Sequence, residues 1–266
     1  MSASKVVDMA VVSSVTQIAQ GIVKAALCCP RIAARVKPGQ FVTIEPGIPS
    51  ANCRRPFTVY SRRDDVIDLV IQDAGPNTRA YAGWKAGQDV EILGPIGQGI
   101  IIDPAIECFL MIAGGCGLAS MHFPAREINE QTSARVIVGC GFRNRAQVFG
   151  QADFERIGAT FNYVTQAEDS KTAVDLLREI LSRDGLPSSD KVQIITCGPK
   201  PMMKQVALLA QEAGVSCLAF IEQVMGCGGI YACKSCAVPM LSGFPKYVCK
   251  DGPVFPAEEV NWYELT

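Results

Sequence analysis

Four cysteines, Cys227, Cys233, Cys236 and Cys249, fall within 23 residues of a 266-residue chain that carries twelve in all. Their spacing is C-x5-C-x2-C-x12-C. Thiolates are soft ligands, and this arrangement is one residue longer in its first gap than the C-x4-C-x2-C plus distant Cys of plant-type [2Fe–2S] proteins. Gly228 and Gly229 stand inside that gap and can absorb the extra residue, because glycine reaches backbone angles closed to other residues. A structural zinc site generally presents two C-x2-C pairs, and here only Cys233 and Cys236 make one. The spacing therefore favours a [2Fe–2S] centre over zinc or unligated thiols. The other eight cysteines, Cys28, Cys29, Cys53, Cys108, Cys116, Cys140, Cys197 and Cys217, are scattered and read as small packing residues.

A second chemical signal is Ala113-Gly114-Gly115-Cys116-Gly117-Leu118, directly after an apolar run. Glycines there let a backbone approach a pyrophosphate, and the helix that follows offers its positive end. Thr196-Cys197-Gly198-Pro199 repeats the pattern after a later apolar run. Two such turns at the carboxyl ends of parallel strands face one crevice, where open α/β sheets take their ligands. The third signal is Arg54-Arg55-Pro56-Phe57-Thr58, followed by Gly75-Pro76-Asn77-Thr78 and Gly94-Pro95-Ile96-Gly97. An arginine pair suits a diphosphate and a threonine hydroxyl suits a ring nitrogen, but ordinary turns beside a solvated arginine pair explain these residues equally well.

These groups need elements to hold them. The first hundred residues alternate short runs such as Phe41–Ile44 and Val66–Ile71 with Gly, Pro, Asn and Asp clusters, the pattern of an antiparallel barrel or sandwich. From about residue 104 the runs Cys108–Ala113, Arg135–Gly139, Val192–Thr196 and Cys217–Ile221 alternate with helical stretches. That is the signature of a doubly wound α/β domain whose strands are buried on both faces. Val174, Leu177 and Leu181 make one stripe of a helix from Thr172 to Arg183, and another helix runs from Pro201 to Gly214. The helix after the glycine turn must tolerate Pro124, which requires a short turn first and Pro124 near the true start. The last 44 residues show neither pattern and need a metal centre to fix them.

Composition narrows the function. Hydrophobic residues are 48% and charged residues 19%, enough apolar material for two domains with a third not excluded, and the opposite of a disordered chain. The net charge is −1, so there is no basic field for nucleic acid. The sequence has no run of 18 apolar residues and no secretory leader pattern, so we expect a cytoplasmic chain without a membrane span. His122 is the only histidine, which excludes a triad and leaves it a packing or surface role. Arg143 and Arg145 stand where a dinucleotide domain often offers an acid to the ribose, which keeps NADP open beside NAD. Asp64-Asp65 reads as a turn.

The motifs Pro38-Gly39-Gln40-Phe41, Arg55-Pro56-Phe57-Thr58, Gly94-Pro95-Ile96-Gly97, Gly114-Gly115-Cys116-Gly117 and Cys197-Gly198-Pro199, followed by the terminal cysteines, occur in the order seen in ferredoxin reductase-like flavoproteins. With Cys249-Lys250-Asp251-Gly252-Pro253-Val254-Phe255, the chain resembles the family of electron-transfer subunits of NAD-dependent dihydroorotate dehydrogenase. The resemblance covers nearly the whole chain. It implies an FAD-binding antiparallel β-barrel over residues 1–103, a doubly wound α/β NAD(P)-binding domain over 104–222 and a small [2Fe–2S] domain over 223–266. By position it implies that Arg55 meets the FAD diphosphate and Thr58 the flavin ring, with Pro56, Phe57, Gly75 and Thr78 completing that site. Gly114, Gly115, Gly117, Cys197 and Gly198 then line the nicotinamide crevice, and Cys227, Cys233, Cys236 and Cys249 ligate the cluster. Ser120-Met121 departs from the proline-containing turn usual after the glycine loop.

The implied function is electron transfer between NAD(P)(H), FAD and a [2Fe–2S] cluster, to or from an FMN-type dehydrogenase catalytic subunit in a hetero-oligomer. Cofactors carry such chemistry, which fits a chain with no visible acid–base pair and leaves the base for an organic substrate on the partner. Two rivals stand beside it: a subunit of another oxidoreductase of the ferredoxin:NADP or sulfide type, and a non-catalytic docking module holding zinc.

Overall fold

The computed structural model describes residues 5–48 and 53–265. The chain forms two compact units. One contains residues up to Ile100 together with Glu222–Ala237 and Lys246–Pro253; the other contains Ile101–Ile221, Val238–Pro245 and Val254–Thr266.

The first unit is built on strands β1 (Val6–Ala19), β2 (Ile22–Cys28), β3 (Phe41–Ile44), β4 (Arg55–Arg63), β5 (Val66–Gln72) and β6 (Asp89–Ile96). They close into an antiparallel barrel in the order β1-β2-β5-β4-β3-β6. Of the two architectures left open by the strand spacing, the barrel is the one formed, and closure leaves no unpaired edge. Tight reversals make it possible. Gly21 turns at φ +69° between β1 and β2, and Asp64 at φ +47° opens the Asp64-Asp65 turn between β4 and β5. Val12, Leu27, Ile44, Val59, Ile67, Leu69 and Ile92 are wholly buried and form its core.

The second unit holds a parallel sheet of β7 (Cys108–Gly114), β8 (Arg135–Phe142), β9 (Thr160–Thr165), β10 (Val192–Cys197) and β11 (Ser216–Phe220). Its strand order is β9-β8-β7-β10-β11, extended past β11 by an antiparallel strand, Val254–Pro256. The chain winds outward from β7 through β8 to β9, then returns to β10 on the other side of β7. The neighbours β7 and β10 therefore flank the topological switch point, where such sheets open a crevice for ligands. Every residue from Cys108 to Ala113 is fully buried, as a central strand requires.

Strand β9 and the strand Val254–Pro256 lie outside the expected runs. In β9, Phe161, Asn162 and Tyr163 are only half-buried, because the strand sits at the border of the sheet and needs no continuous apolar run. After β7 a short 3-10 turn, Gly115–Ser120, precedes the helix His122–Gln131. Pro124 thus falls in the helix's first turn, where its missing N–H costs nothing. The helix Ala173–Leu181 starts at Thr172, whose hydroxyl and amide exchange hydrogen bonds with Asp175, a capping box. The helix Lys200–Glu212 has Pro201 in its first turn and Gly214 at φ +66° beyond its end. Among the described residues no helix is long and apolar enough to cross a membrane.

Candidate functional site

The cysteine segment belongs to the barrel unit. Its loop winds through left-handed backbone at Gly228 (φ +67°), Gly229 (+95°), Tyr231 (+68°) and Lys234 (+61°). Both glycines are also sterically required. A Cβ on Gly228 would come within 2.8 Å of Arg54 Cδ, and one on Gly229 within 2.7 Å of Ile96 Cδ1. Two polar contacts tie the loop to the barrel, and a third within the barrel holds Thr43, the donor of one of them, in place. The Thr43 hydroxyl donates to the Gly228 carbonyl at 2.8 Å, and Lys5 Nζ donates to the Gly229 carbonyl at 2.7 Å. Arg54 donates to the Thr43 carbonyl at 3.2 Å while pairing with Glu91.

Cys249 arrives on the short helix Val248–Asp251, positioned by the Val248 amide donating to the Cys236 carbonyl at 3.0 Å. The Cys236 and Cys249 sulfurs are then 3.4 Å apart and buried. The Cys227 amide donates to Cys233 Sγ at 3.2 Å. The four donors thus fall into two pairs, Cys227 with Cys233 and Cys236 with Cys249. Among the described residues no three His, Cys, Asp or Glu side chains gather around a point for a single metal ion. Two pairs of thiols suit two irons, each taking two thiolates, so the residues fit a [2Fe–2S] centre. Burial works against a charged Cys227, but the amides of Cys233, Ala232 and Gly229 and the Cys233 thiol outweigh it and bring Cys227 down to about 6. Burial, then the neighbouring Cys236 thiol, pushes Cys249 up to about 12.

The two glycine turns of the second unit meet at the ends of β7 and β10. A Cβ on Gly114 would lie 2.7 Å from Met202 Sδ and 2.8 Å from Pro199 Cδ. One on Gly117 would lie 2.5 Å from the Cys197 carbonyl oxygen, and one on Gly198 2.9 Å from the Gly114 nitrogen. Gly114, Gly117 and Gly198 therefore let the two turns interlock. Gly115 differs: at φ +53° it has nothing within 4 Å of its Cβ position, an open backbone approach of the kind a pyrophosphate uses. Cys197, Ala113 and Cys140 are register neighbours across β10, β7 and β8, and burial pushes the Cys140 thiol well up. Cys116 is half-exposed in the turn itself.

On the barrel, Arg55, Pro56, Phe57 and Thr58 form the half-exposed beginning of β4, whereas Val59, Tyr60 and Ser61 beyond them are buried. The structure separates the adjacent arginines. Arg54 holds Thr43 as described; Arg55 donates to the Cys53 carbonyl at 3.0 Å and enters no ion pair among the described residues. Phe57 meets Tyr81 edge-on with ring centroids 5.8 Å apart, tying this strip to the helix Pro76–Ala82. The Thr78 hydroxyl accepts from the Ala74 and Gly75 amides at 2.9 and 3.0 Å and so shapes the turn before that helix. A guanidinium in no ion pair among the described residues, on a strand that also carries Phe57 and the Thr58 hydroxyl, fits a flavin and its diphosphate.

Several participants gave no sequence signal. Arg54 looked like half of a pair; its role depends on Glu91 and Gly228, which are remote in sequence. Lys234 Nζ lies 2.8 Å from the Tyr231 ring centroid and Lys250 Nζ 4.8 Å from it, a cationic rim beside the cysteines. The Ser235 hydroxyl touches Cys233. His122 is buried edge-on against Phe154 at 5.2 Å, a packing role. Arg143 and Arg145 are exposed beyond β8.

Solved structures carry the same architecture. A chain of the NADH-dependent reduced ferredoxin–NADP oxidoreductase superposes with a TM-score of 0.84 over 100% of this chain and 93% of its own, at 24% identity. The ferredoxin reductase of carbazole 1,9a-dioxygenase gives a TM-score of 0.68 over 81% and 68%, at 19% identity. The barrel and the switch-point sheet thus define a ferredoxin reductase-like fold. Residues 222–261 match the model of the iron–sulfur cluster binding domain of dihydroorotate dehydrogenase B, and residues 111–207 that of the oxidoreductase NAD-binding domain. Electron transfer subunits of dihydroorotate dehydrogenase B (NAD(+)) are similar over most of their length. That of Caldanaerobacter subterraneus is 33% identical over 84% of this chain and 86% of its own, and that of Desulforamulus reducens 30% identical over 97% and 99%. The chain belongs to the family of dihydroorotate dehydrogenase B electron transfer subunits. It is an oxidoreductase component that carries an NAD-binding domain and an iron–sulfur cluster binding domain.

Proposed function

We propose that this chain carries electrons between NAD(H) and a catalytic dehydrogenase subunit, itself a flavoprotein of the FMN type, that acts on dihydroorotate. The observation that carries the reading is the pairing of four thiols from one loop and a short helix of the barrel unit, in a chain whose second unit brings two glycine turns together at its switch point. Residues 1–103 serve FAD, 104–222 the nicotinamide nucleotide and 223–266 the cluster. When bound, FAD would exchange a hydride with the nicotinamide and pass electrons singly to the [2Fe–2S] centre.

The chain's own residues bind and orient. Arg55 neutralises the diphosphate, the Thr58 hydroxyl meets the flavin ring, and Pro56, Phe57, Gly75 and Thr78 shape that surface. Gly115 leaves room for the nucleotide, with Gly114, Gly117, Cys197 and Gly198 fixing the crevice walls. Cys227 and Cys233 hold one iron, Cys236 and Cys249 the other. No acid–base pair is needed for hydride exchange, so the base for the organic substrate belongs to the partner in a hetero-oligomer. Twelve unbridged cysteines support a cytoplasmic setting.

Anaerobic purification with a visible spectrum and metal analysis tests this reading. A brown-yellow protein with one flavin, about two irons per chain and NADH-driven dye reduction supports it. A colourless zinc protein overturns it, and running the assay with NADPH decides the nucleotide.

A further inference from the structure

We propose that the Ser235 hydroxyl donates a hydrogen bond to the ligand sulfur of Cys233 and thereby raises the reduction potential of the centre that the four cysteines hold. The inference rests on the [2Fe–2S] reading above and adds a potential-setting residue to it. Ser235 Oγ lies 3.0 Å from Cys233 Sγ and 2.9 Å from the Val224 carbonyl, and accepts the Gly226 amide at 3.0 Å.

A serine hydroxyl has one proton and two acceptor sites. While Cys233 is a thiol, every position is filled: Oγ accepts from the Gly226 amide and the Cys233 S–H, and its own proton goes to Val224. Ligation removes the Cys233 proton. Oγ then loses a donor, and an anionic sulfur stands within reach of its hydrogen. A bond to a charged acceptor is the stronger one. The Ser235–Val224 bond is exposed, so water can take over the carbonyl. The hydroxyl proton therefore turns to sulfur.

Cys233 Sγ already receives the Cys227 amide at 3.2 Å and the Ser235 amide at 3.5 Å; the hydroxyl makes a third donor. The buried Cys236 and Cys249 sulfurs instead face each other at 3.4 Å. Donors to ligand sulfur stabilise the extra negative charge of the reduced state. The asymmetry places that stabilisation on the Cys227–Cys233 pair.

The test is an EPR-monitored redox titration of the flavin- and iron-loaded Ser235→Ala and Ser235→Thr proteins beside the wild type. The alanine variant should keep its iron and flavin and titrate at a more negative midpoint, while threonine, which retains the hydroxyl, stays near the wild type. An alanine variant with full iron and an unmoved midpoint overturns the proposal, as does a threonine variant that shifts as far as alanine. Resonance Raman of the wild type needs no variant. Its iron–sulfur stretching bands should move promptly in deuterated buffer, and unmoved bands overturn the proposal. A wild-type chain without iron overturns the cluster reading itself, and this proposal with it.

Discussion

The crevice turns of the sheet and the cysteine loop of the barrel are both rich in glycine, yet glycine serves them differently. At the crevice, Gly114, Gly117 and Gly198 remove side chains so that two strand ends remote in sequence can interlock. In the cysteine loop, Gly228 and Gly229 combine left-handed backbone with close approach to Arg54 and Ile96. The first region is made by what packs across the sheet, the second by how one stretch of chain coils. Glycine content alone locates a site without saying which of these builds it.

The comparison breaks most sharply at the sulfur ligands. Cys236→Ser should abolish the iron–sulfur absorbance while flavin content stays at one per chain, read from the visible spectrum and an iron assay. Joint loss of flavin would mean that the braced loop and the barrel surface cannot be uncoupled. At the crevice, Gly117→Ala drives a methyl group into the Cys197 carbonyl. NADH-driven dye reduction should fall roughly 100-fold, since misplacing a bound reactant by about 1 Å costs on that order. Iron and flavin contents should not change, and their loss would show that the interlock supports more than the nucleotide.

Smaller effects sharpen the contrast between coiling and packing. Gly229→Ala meets both strain and Ile96 and should cost about 3 kcal/mol, against about 1 kcal/mol for Gly115→Ala, which meets strain alone. Urea unfolding of the two variants measures the difference. Smallest is a titration in the iron-free chain. Because Cys227 is lowered to about 6, its thiolate forms as pH rises through that value. Its alkylation rate should therefore climb between about pH 5 and 7 and then level off. Cys249, raised to about 12, should stay unreactive across the same range. Mass spectrometry of alkylated peptides reads both.

Much of this was legible in the sequence because local chemistry determined it. The central strands announce themselves as apolar runs, Pro124 demands the preceding turn, and Val174, Leu177 and Leu181 mark one helix by their spacing. The grouping of the cysteines is visible from spacing alone. Strand β9 was not, since a border strand with Thr160, Asn162 and Thr165 needs no unbroken apolar run. Nor was the division of labour between Arg54 and Arg55, which is decided by Glu91 and Gly228, remote in sequence and brought close only by the closed barrel. Ser235 was silent for the same reason: its partners, Val224 and Gly226, are reached by coiling of the loop.

The strand Val254–Pro256 pairs with β11 through Leu218, Ala219 and Phe220. Without it, β11 would present a row of bare amides and carbonyls to solvent, a template for unwanted strand addition. A chain cut short just after Cys249 would retain every sulfur of the set and still be prone to clumping. The tail beyond the last thiol thus acts as a selvedge for the sheet.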